Sequence, residues 1–254
     1  MEKKFETYPE ISSEEIRSAL DFACRQILHV LPEFTDKFQQ AYSENGFYPP
    51  VENRDWTTGF WTGEIWLAYE FSGDERLKKA GEIQVHDFLE RIDKKISVDH
   101  HDMGFLYSPS CVAAYKLIGS KEGREAAIRA AGQLITRYHA KGEFIQAWGA
   151  MDEPGNYRLI IDCLLNLPLL YWASGETGDN KYRDIAAKLM KSVYDNYAVK
   201  DFETSNGLVL HSTYSNHSPY NTCDHKGVDE CNAWGDYFYM EALTRMEKDW
   251  TLYW

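Results

Sequence analysis

Hydrophobic positions recur at helical spacing along most of the chain. In residues 12–31, Leu20, Ala23, Cys24, Ile27 and Val30 form one apolar stripe, Ser12 or Ser13 stands where a cap is needed, and Glu14 and Glu15 favour the dipole of the first turn. Pro32 is expected to end that helix. Residues 40–55 carry the turn signals Asn45–Gly46 and Pro49–Pro50 and read as a loop. A second helix is predicted from Thr57 or Thr58 to about Phe71; it breaks at Ser72–Gly73–Asp74, and a third runs from about Glu75 to Ile92. The same succession returns twice. Ala113–Leu117 leads through Gly119–Ser120 into a helix over 122–138, and a later apolar stretch leads through Gly175–Asp179 into a helix over 181–197. AYEFSGDERLKKA and YWASGETGDNKYRDIA share the aromatic residues, the Gly-Asp turn and the following basic residue and alanine. Turns roughly fifty residues apart fit helical-hairpin repeats, which bury by stacking the apolar faces that no hairpin buries alone.

The most apolar stretch is Tyr157–Leu170, YRLIIDCLLNLPLL. As a helix it places Arg158, Asp162 and Asn166 at i, i+4 and i+8, one polar stripe on an otherwise apolar rod, and such a rod is buried. A carboxylate there needs a partner or a purpose. Two readings stand: an Arg158–Asp162 ion pair within the helix, or a carboxyl group at the bottom of a cavity. The last third changes character. Residues 201–227 read as an irregular loop with a short strand at Leu208–His211, and 232–248 as a final amphipathic helix. About eight helices result, and since linker composition is lacking, 1–254 reads as a single domain.

Composition narrows the partners. The formal charge of −13, with no basic run, argues against nucleic acid and against anionic membrane surfaces. Five cysteines show no framework spacing. The start MEKKFETYPE lacks an apolar signal-peptide core, and the longest apolar run, Leu159–Ala173, is too short and too interrupted to span a bilayer, so a cytoplasmic location is expected. The 8 Trp, 17 Tyr and 12 Phe are unusually many and suit pocket walls and sugar-stacking platforms as well as cores.

The candidate chemistry is that of carboxylates. His100, His101 and Asp102 lack helical ligand spacing, and Asp224, His225, Asp229 and Glu230 read as a solvated loop, so no metal and no cofactor is expected. Neither a phosphate loop nor a nucleophile elbow is present. Asp102 and Asp162 lie in separate segments rich in pocket-type residues, and carboxyl pairs tuned apart in pKa are the usual acid–base machinery for sugars. Trp56, Trp61 and Trp148 are stacking candidates, or core residues. The segments 99–105 and 144–149 each precede a helix, and loops at equivalent ends of stacked hairpins converge.

NRDWTTGFWTGEIWLAYE, DHHDMGFLYSPS, FIQAWG, YRLIIDCLLNL and the C-terminal HSTYSNHS…HKGVDECNAWGDYFYMEAL together resemble the unsaturated glucuronyl hydrolases, glycoside hydrolase family 88. The resemblance implies an all-α fold, an α/α toroid of stacked helical hairpins, six in the complete barrel. It implies hydrolysis of 4,5-unsaturated uronic acid at the non-reducing end of oligosaccharides made by polysaccharide lyases, the glycosaminoglycan type above all. By resemblance Asp162 is the general acid/base and Asp102 its partner, while His101, Trp56 and Trp148 belong to the pocket and Ser215, Ser218 and Lys226 to a C-terminal substrate loop. The chain departs from the family in length: a family segment is missing near 184–191, and with it a His-containing loop and an arginine and a tryptophan that face the substrate. The toroid is therefore expected to be incomplete, re-closed, or completed by self-association through the open ring. Two alternatives accompany this reading: a non-catalytic remnant that binds sugar weakly or serves as a helical interaction module, and an unsaturated rhamnogalacturonyl hydrolase.

Overall fold

The computed structural model describes residues 12–196 and the backbone of two short strands, Ser212–Tyr214 and Pro219–Tyr220. The first helix, α1 (Ser13–Phe34), opens on a capping box in which the Ser12 hydroxyl accepts from the Glu15 amide and the Glu15 carboxylate accepts from Ser12 N. It does not stop at Pro32. The helix forgoes one amide bond there and continues because Leu31 and Phe34, on either side, are buried in the core. A small antiparallel hairpin, β1 (Phe38–Gln39) with β2 (Pro50–Val51), leads on to α2 (Thr58–Ser72) and α3 (Glu75–Asp93).

Next come α4 (Met103–Tyr107), a π-helical turn (Ser108–Val112) and α5 (Ala113–Ile118), which together make one interrupted rod. They are followed by α6 (Lys121–Ile135), the hairpin β3 (Tyr138–His139) with β4 (Phe144–Ile145), strand β5 (Arg158–Ile160), a 3₁₀ segment (Ile161–Asn166), α7 (Leu167–Thr177) and α8 (Lys181–Asn196). The repeated turns have a common chemistry. Gly73, Gly119 and Gly178 end their helices with φ of +68°, +68° and +75°, a conformation in which a Cβ is penalised. The residue after each glycine caps the next helix: Asp74 accepts from Arg76 N at 2.9 Å, Ser120 from Gly123 N at 3.1 Å and Asp179 from Lys181 N at 3.0 Å.

The rods form two layers. α2 and α7 are apolar nearly all round, whereas α3, α6 and α8 are amphipathic. The rod α4–α5 touches α2, and α4 also touches α7, on the inner side, while α6 packs against α3 and α8 on the outer side. Ala126, Ala127, Ala130 and Ala131 are all buried on α6 and let it lie close to its neighbours. Among the described residues one face of the inner layer is uncovered: Phe60, Leu67, Phe105, Leu117 and Leu165 line a groove of about 340 Å³ that also takes in Glu64.

Tyr157–Leu170 is not one helix. It divides into strand, 3₁₀ segment and the start of α7, with Pro168 in the first turn, where the missing amide costs nothing. The strand exists because β5 is paired by a distant segment: β6 (Ser212–Tyr214) lies antiparallel to it with Arg158 opposite Tyr214, and β7 (Pro219–Tyr220) adds beyond. Local periodicity cannot register such a partner. The strand expected at Leu208–His211 and the helix expected over 232–248 fall outside the described residues. The junction expected near 184–191 falls inside one unbroken helix, α8.

Candidate active site

Each inner helix is entered through a connector at the same end of the bundle: 53–57 before α2, 94–102 before α4 and 136–160 before the 3₁₀ segment and α7. The last two are joined by a backbone bond from His101 N to Ala147 O at 2.8 Å, and a second from Ala147 N to Arg158 O at 3.1 Å ties the last connector to its own strand. The convergence expected of stacked hairpins is thus realised around Asp102.

Asp102 occupies the N-cap position of α4 but does not cap it. Its carboxylate turns back instead onto the two preceding histidines, with Oδ2 3.0 Å from His100 Nδ1 and Oδ1 3.2 Å from His101 Nε2. The site is enclosed: the side chain of Asp102 is 15% exposed and that of His101 2%. Burial alone would raise the pKa of Asp102, but the imidazoles beside it outweigh that and hold the carboxyl well below the usual range. His101 moves the other way. Burial and Arg137 press its pKa down, the neighbouring Asp102 and then Asp162 press it up, and the net direction is up. The two groups therefore stabilise one another as an ion pair, and Asp102 stays ionised. His100 is anchored at its far nitrogen, where Nε2 lies 2.9 Å from Ser97 O.

Asp162 sits half-buried on the 3₁₀ segment, near enough for its charge to act on His101 and on the buried thiol of Cys163. Asn166 fastens this segment to α4: its side chain donates to Asp162 O at 3.1 Å and accepts from Phe105 N at 3.1 Å. The approach requires glycine at 104, since a Cβ there would lie 2.3 Å from Asn166 Cα. Arg158 does not stand one turn from Asp162, because the helix that would align them is absent. It extends from β5, donates to Gly155 O at 3.2 Å, and its guanidinium lies 5.1 Å from the Trp148 ring centroid.

Trp56 and Trp148 are both accessible, 42% and 40% exposed, unlike Trp61, which is in the core and donates to Phe34 O. Trp56 packs edge-on against Phe105, 5.7 Å between centroids, and Phe60 completes the cluster. His101, Asp102, Trp56 and Trp148 therefore belong to connectors that meet at one end, with Asp162 beside them. Ser215, Ser218 and Lys226 lie outside the described residues; the strands flanking 215–218 add to β5 beside this end. Sequence reasoning placed Phe105 in a segment expected to line the site but missed two buried arginines, Arg91 and Arg137. Among the described residues no group of three or more His, Cys, Asp or Glu is arranged to hold a metal, and no helix is long and apolar enough to cross a membrane.

Known proteins resemble this chain in sequence and in fold. The chain is 31% identical to the unsaturated chondroitin disaccharide hydrolase of Streptococcus pneumoniae over 389 residues, 99% of this chain and 97% of the relative. That span exceeds the 254 residues present, so roughly a third of the aligned positions have no counterpart here. With the unsaturated glucuronyl hydrolase of a Bacillus species identity is 44% over 164 residues, 64% of this chain and 44% of that one. The crystal structure of the unsaturated glucuronyl hydrolase of Streptococcus agalactiae superposes with a TM-score of 0.88 at 36% identity, covering 97% of this chain but 63% of that chain. The present chain is thus an all-α, helical-hairpin protein that spans less than two thirds of that solved structure. The sequence model described as Glycosyl Hydrolase Family 88 matches residues 30–246, and the chain belongs to that family.

Proposed function

We propose that the chain hydrolyses lyase-derived oligosaccharides carrying a 4,5-unsaturated uronic acid at the non-reducing end, with unsaturated chondroitin-type disaccharides as the first substrates to test. The observation that carries this is the division of labour between two carboxyl groups on adjoining segments. Asp102 is held ionised by His100 and His101, so it is a poor proton donor near neutrality and a good partner for positive charge. Asp162 on the adjoining segment takes the part of the acid, the role that the family resemblance implies for it.

In the reaction that the family resemblance implies, Asp162 protonates C4 of the C4=C5 bond, and positive charge develops at C5 and the ring oxygen. The Asp102 carboxylate stabilises that charge or orients the sugar that bears it. Asp162, now a base, takes a proton from water as the water oxygen bonds to C5. The resulting hemiketal opens and releases the rest of the sugar. The bond to the leaving sugar is never displaced directly at the anomeric carbon, so the carboxylate spacing that separates retaining from inverting glycosidases has no bearing here. Trp56 and Trp148 offer ring faces to the sugars, and Ser215, Ser218 and Lys226 are proposed as further contacts.

The test is direct. Purified protein mixed with an unsaturated chondroitin disaccharide should remove the ultraviolet absorbance of the conjugated double bond. An absorbance unchanged at high protein concentration would sink the activity for this chain.

A further inference from the structure

Arg91 and Arg137 are among the largest fully buried side chains of the described residues, and each lies at the end of an outer helix, where a connector begins. Neither is spent on a helix dipole. Arg91, in the last turn of α3, gives Nη1 to Asn53 Oδ1 at 2.7 Å, to Asp55 O at 3.0 Å and to Thr58 Oγ1 at 3.1 Å. Its Nη2 reaches Ser97 O at 2.7 Å and its Nε reaches Ile96 O at 3.2 Å. One guanidinium thus ties the connector that carries Trp56 to the turn that leads to His100.

Arg137, just beyond α6, repeats the device one hairpin later. Its Nε donates to Gln146 O at 2.8 Å, its Nη2 to Gly149 O at 2.9 Å and its Nη1 to the Asp99 carboxylate. The Gln146 side chain extends the tie, donating to Trp148 O at 2.8 Å and Gly149 O at 2.9 Å while His139 holds its oxygen. This second guanidinium joins the residue two before His101 to the turn that carries Trp148. The connector 94–102 is therefore gripped from both sides, by Arg91 at Ile96 and Ser97 and by Arg137 at Asp99. A planar fork with five donors can satisfy several carbonyls at fixed angles, which a lysine cannot.

We propose that Arg91 and Arg137 are a pair of positioning residues for the hydrolysis, two buried clamps that fix the His101–Asp102 pair relative to the tryptophan faces on either side of it. The proposal rests on the hydrolase reading, and its test separates the two. Turnover by the unmodified chain is measured first, and its absence counts against the hydrolase reading. Arg91→Lys, Arg137→Lys and the gentler Asp99→Asn, whose side chain is 76% exposed and whose loss leaves the core intact, are then compared by hydrogen–deuterium exchange and by steady-state kinetics per folded molecule.

The expected result is faster exchange confined to 97–102 and 145–150, with α3 and α6 still protected, together with a fall in kcat/KM of about ten- to a hundred-fold for the lysine variants. That fall should come mainly through KM, with the acid limb of the pH–rate profile unmoved, and Asp99→Asn should shift both measurements in the same direction by less. Exchange that is unchanged, or raised evenly through α3 and α6, overturns the clamp whatever the activity. Local loosening with an unchanged kcat/KM overturns its role in positioning. A lysine variant that does not fold leaves the decision to Asp99→Asn.

Discussion

Asp102 and His101 stabilise the fold through each other's charge, and the signs of their shifts set where that matters. Asp102 binds its proton more weakly in the folded chain than in the unfolded one, so its contribution is complete above the ordinary value of 3.8 and is lost as pH falls through the lower folded value. His101 binds its proton more tightly when folded, so its contribution is complete below the ordinary value of 6.5 and is lost as pH rises through the higher folded value. The pair is strongest between the two ordinary values. The thermal midpoint should therefore fall as pH rises above 6.5, and calorimetry should find a shallower fall in His101→Gln. At Asp162 the expected effect is on rate: Asp162→Asn should lower kcat by about a thousand-fold while disaccharide binding, read by calorimetry, persists. The two aspartates could be singled out in the sequence because a carboxylate among apolar and aromatic residues is conspicuous, but the roles proposed for them came from the family resemblance. Arg91 and Arg137 were not, because a basic residue near a helix C-terminus has an ordinary explanation in the dipole, and only the closed tertiary structure shows that both point inward.

Between elements, the contact that sets the distance from one aspartate to the other is the seam of Gly104 and Asn166. A methyl group at 104 would meet Asn166 Cα at 2.3 Å and Oδ1 at 2.7 Å, so α4 and the 3₁₀ segment would have to part. Gly104→Ala should lower stability by about 1–3 kcal/mol, the range of an overpacked core, and should cut kcat/KM as well; denaturant unfolding and the absorbance assay read the two separately. The hairpins themselves could be read from sequence down to their turns, because a left-handed glycine followed by Asp or Ser is local chemistry. The strand at Arg158–Ile160 could not, since the pairing that creates it comes from Ser212–Tyr214, and an apolar run of that length fits helix and strand alike.

At the scale of the molecule, the inner layer leaves an apolar groove. Phe60 and Leu67 are exposed along α2, and Glu64 lies between them along the groove. If the groove is open in solution, a dye that brightens in apolar surroundings will bind the native protein, and Leu67→Glu will remove most of that signal without unfolding the chain. No signal from the native protein would mean that the groove is covered, and an equal signal in the variant would mean that the dye binds elsewhere.

The pairing of β6 on β5 has one more consequence. The register Arg158–Tyr214 returns the chain to the site after α8 whatever lies between Asn196 and Ser212. Any chain between Asn196 and Ser212 joins ends that are already fixed, and the entropy of closing such an interval grows only logarithmically, by about 0.6 kcal/mol for each doubling of length. The fold can therefore accept a long insertion here at little cost in stability, and the site end of the bundle is insulated from the length of the polypeptide that joins its parts.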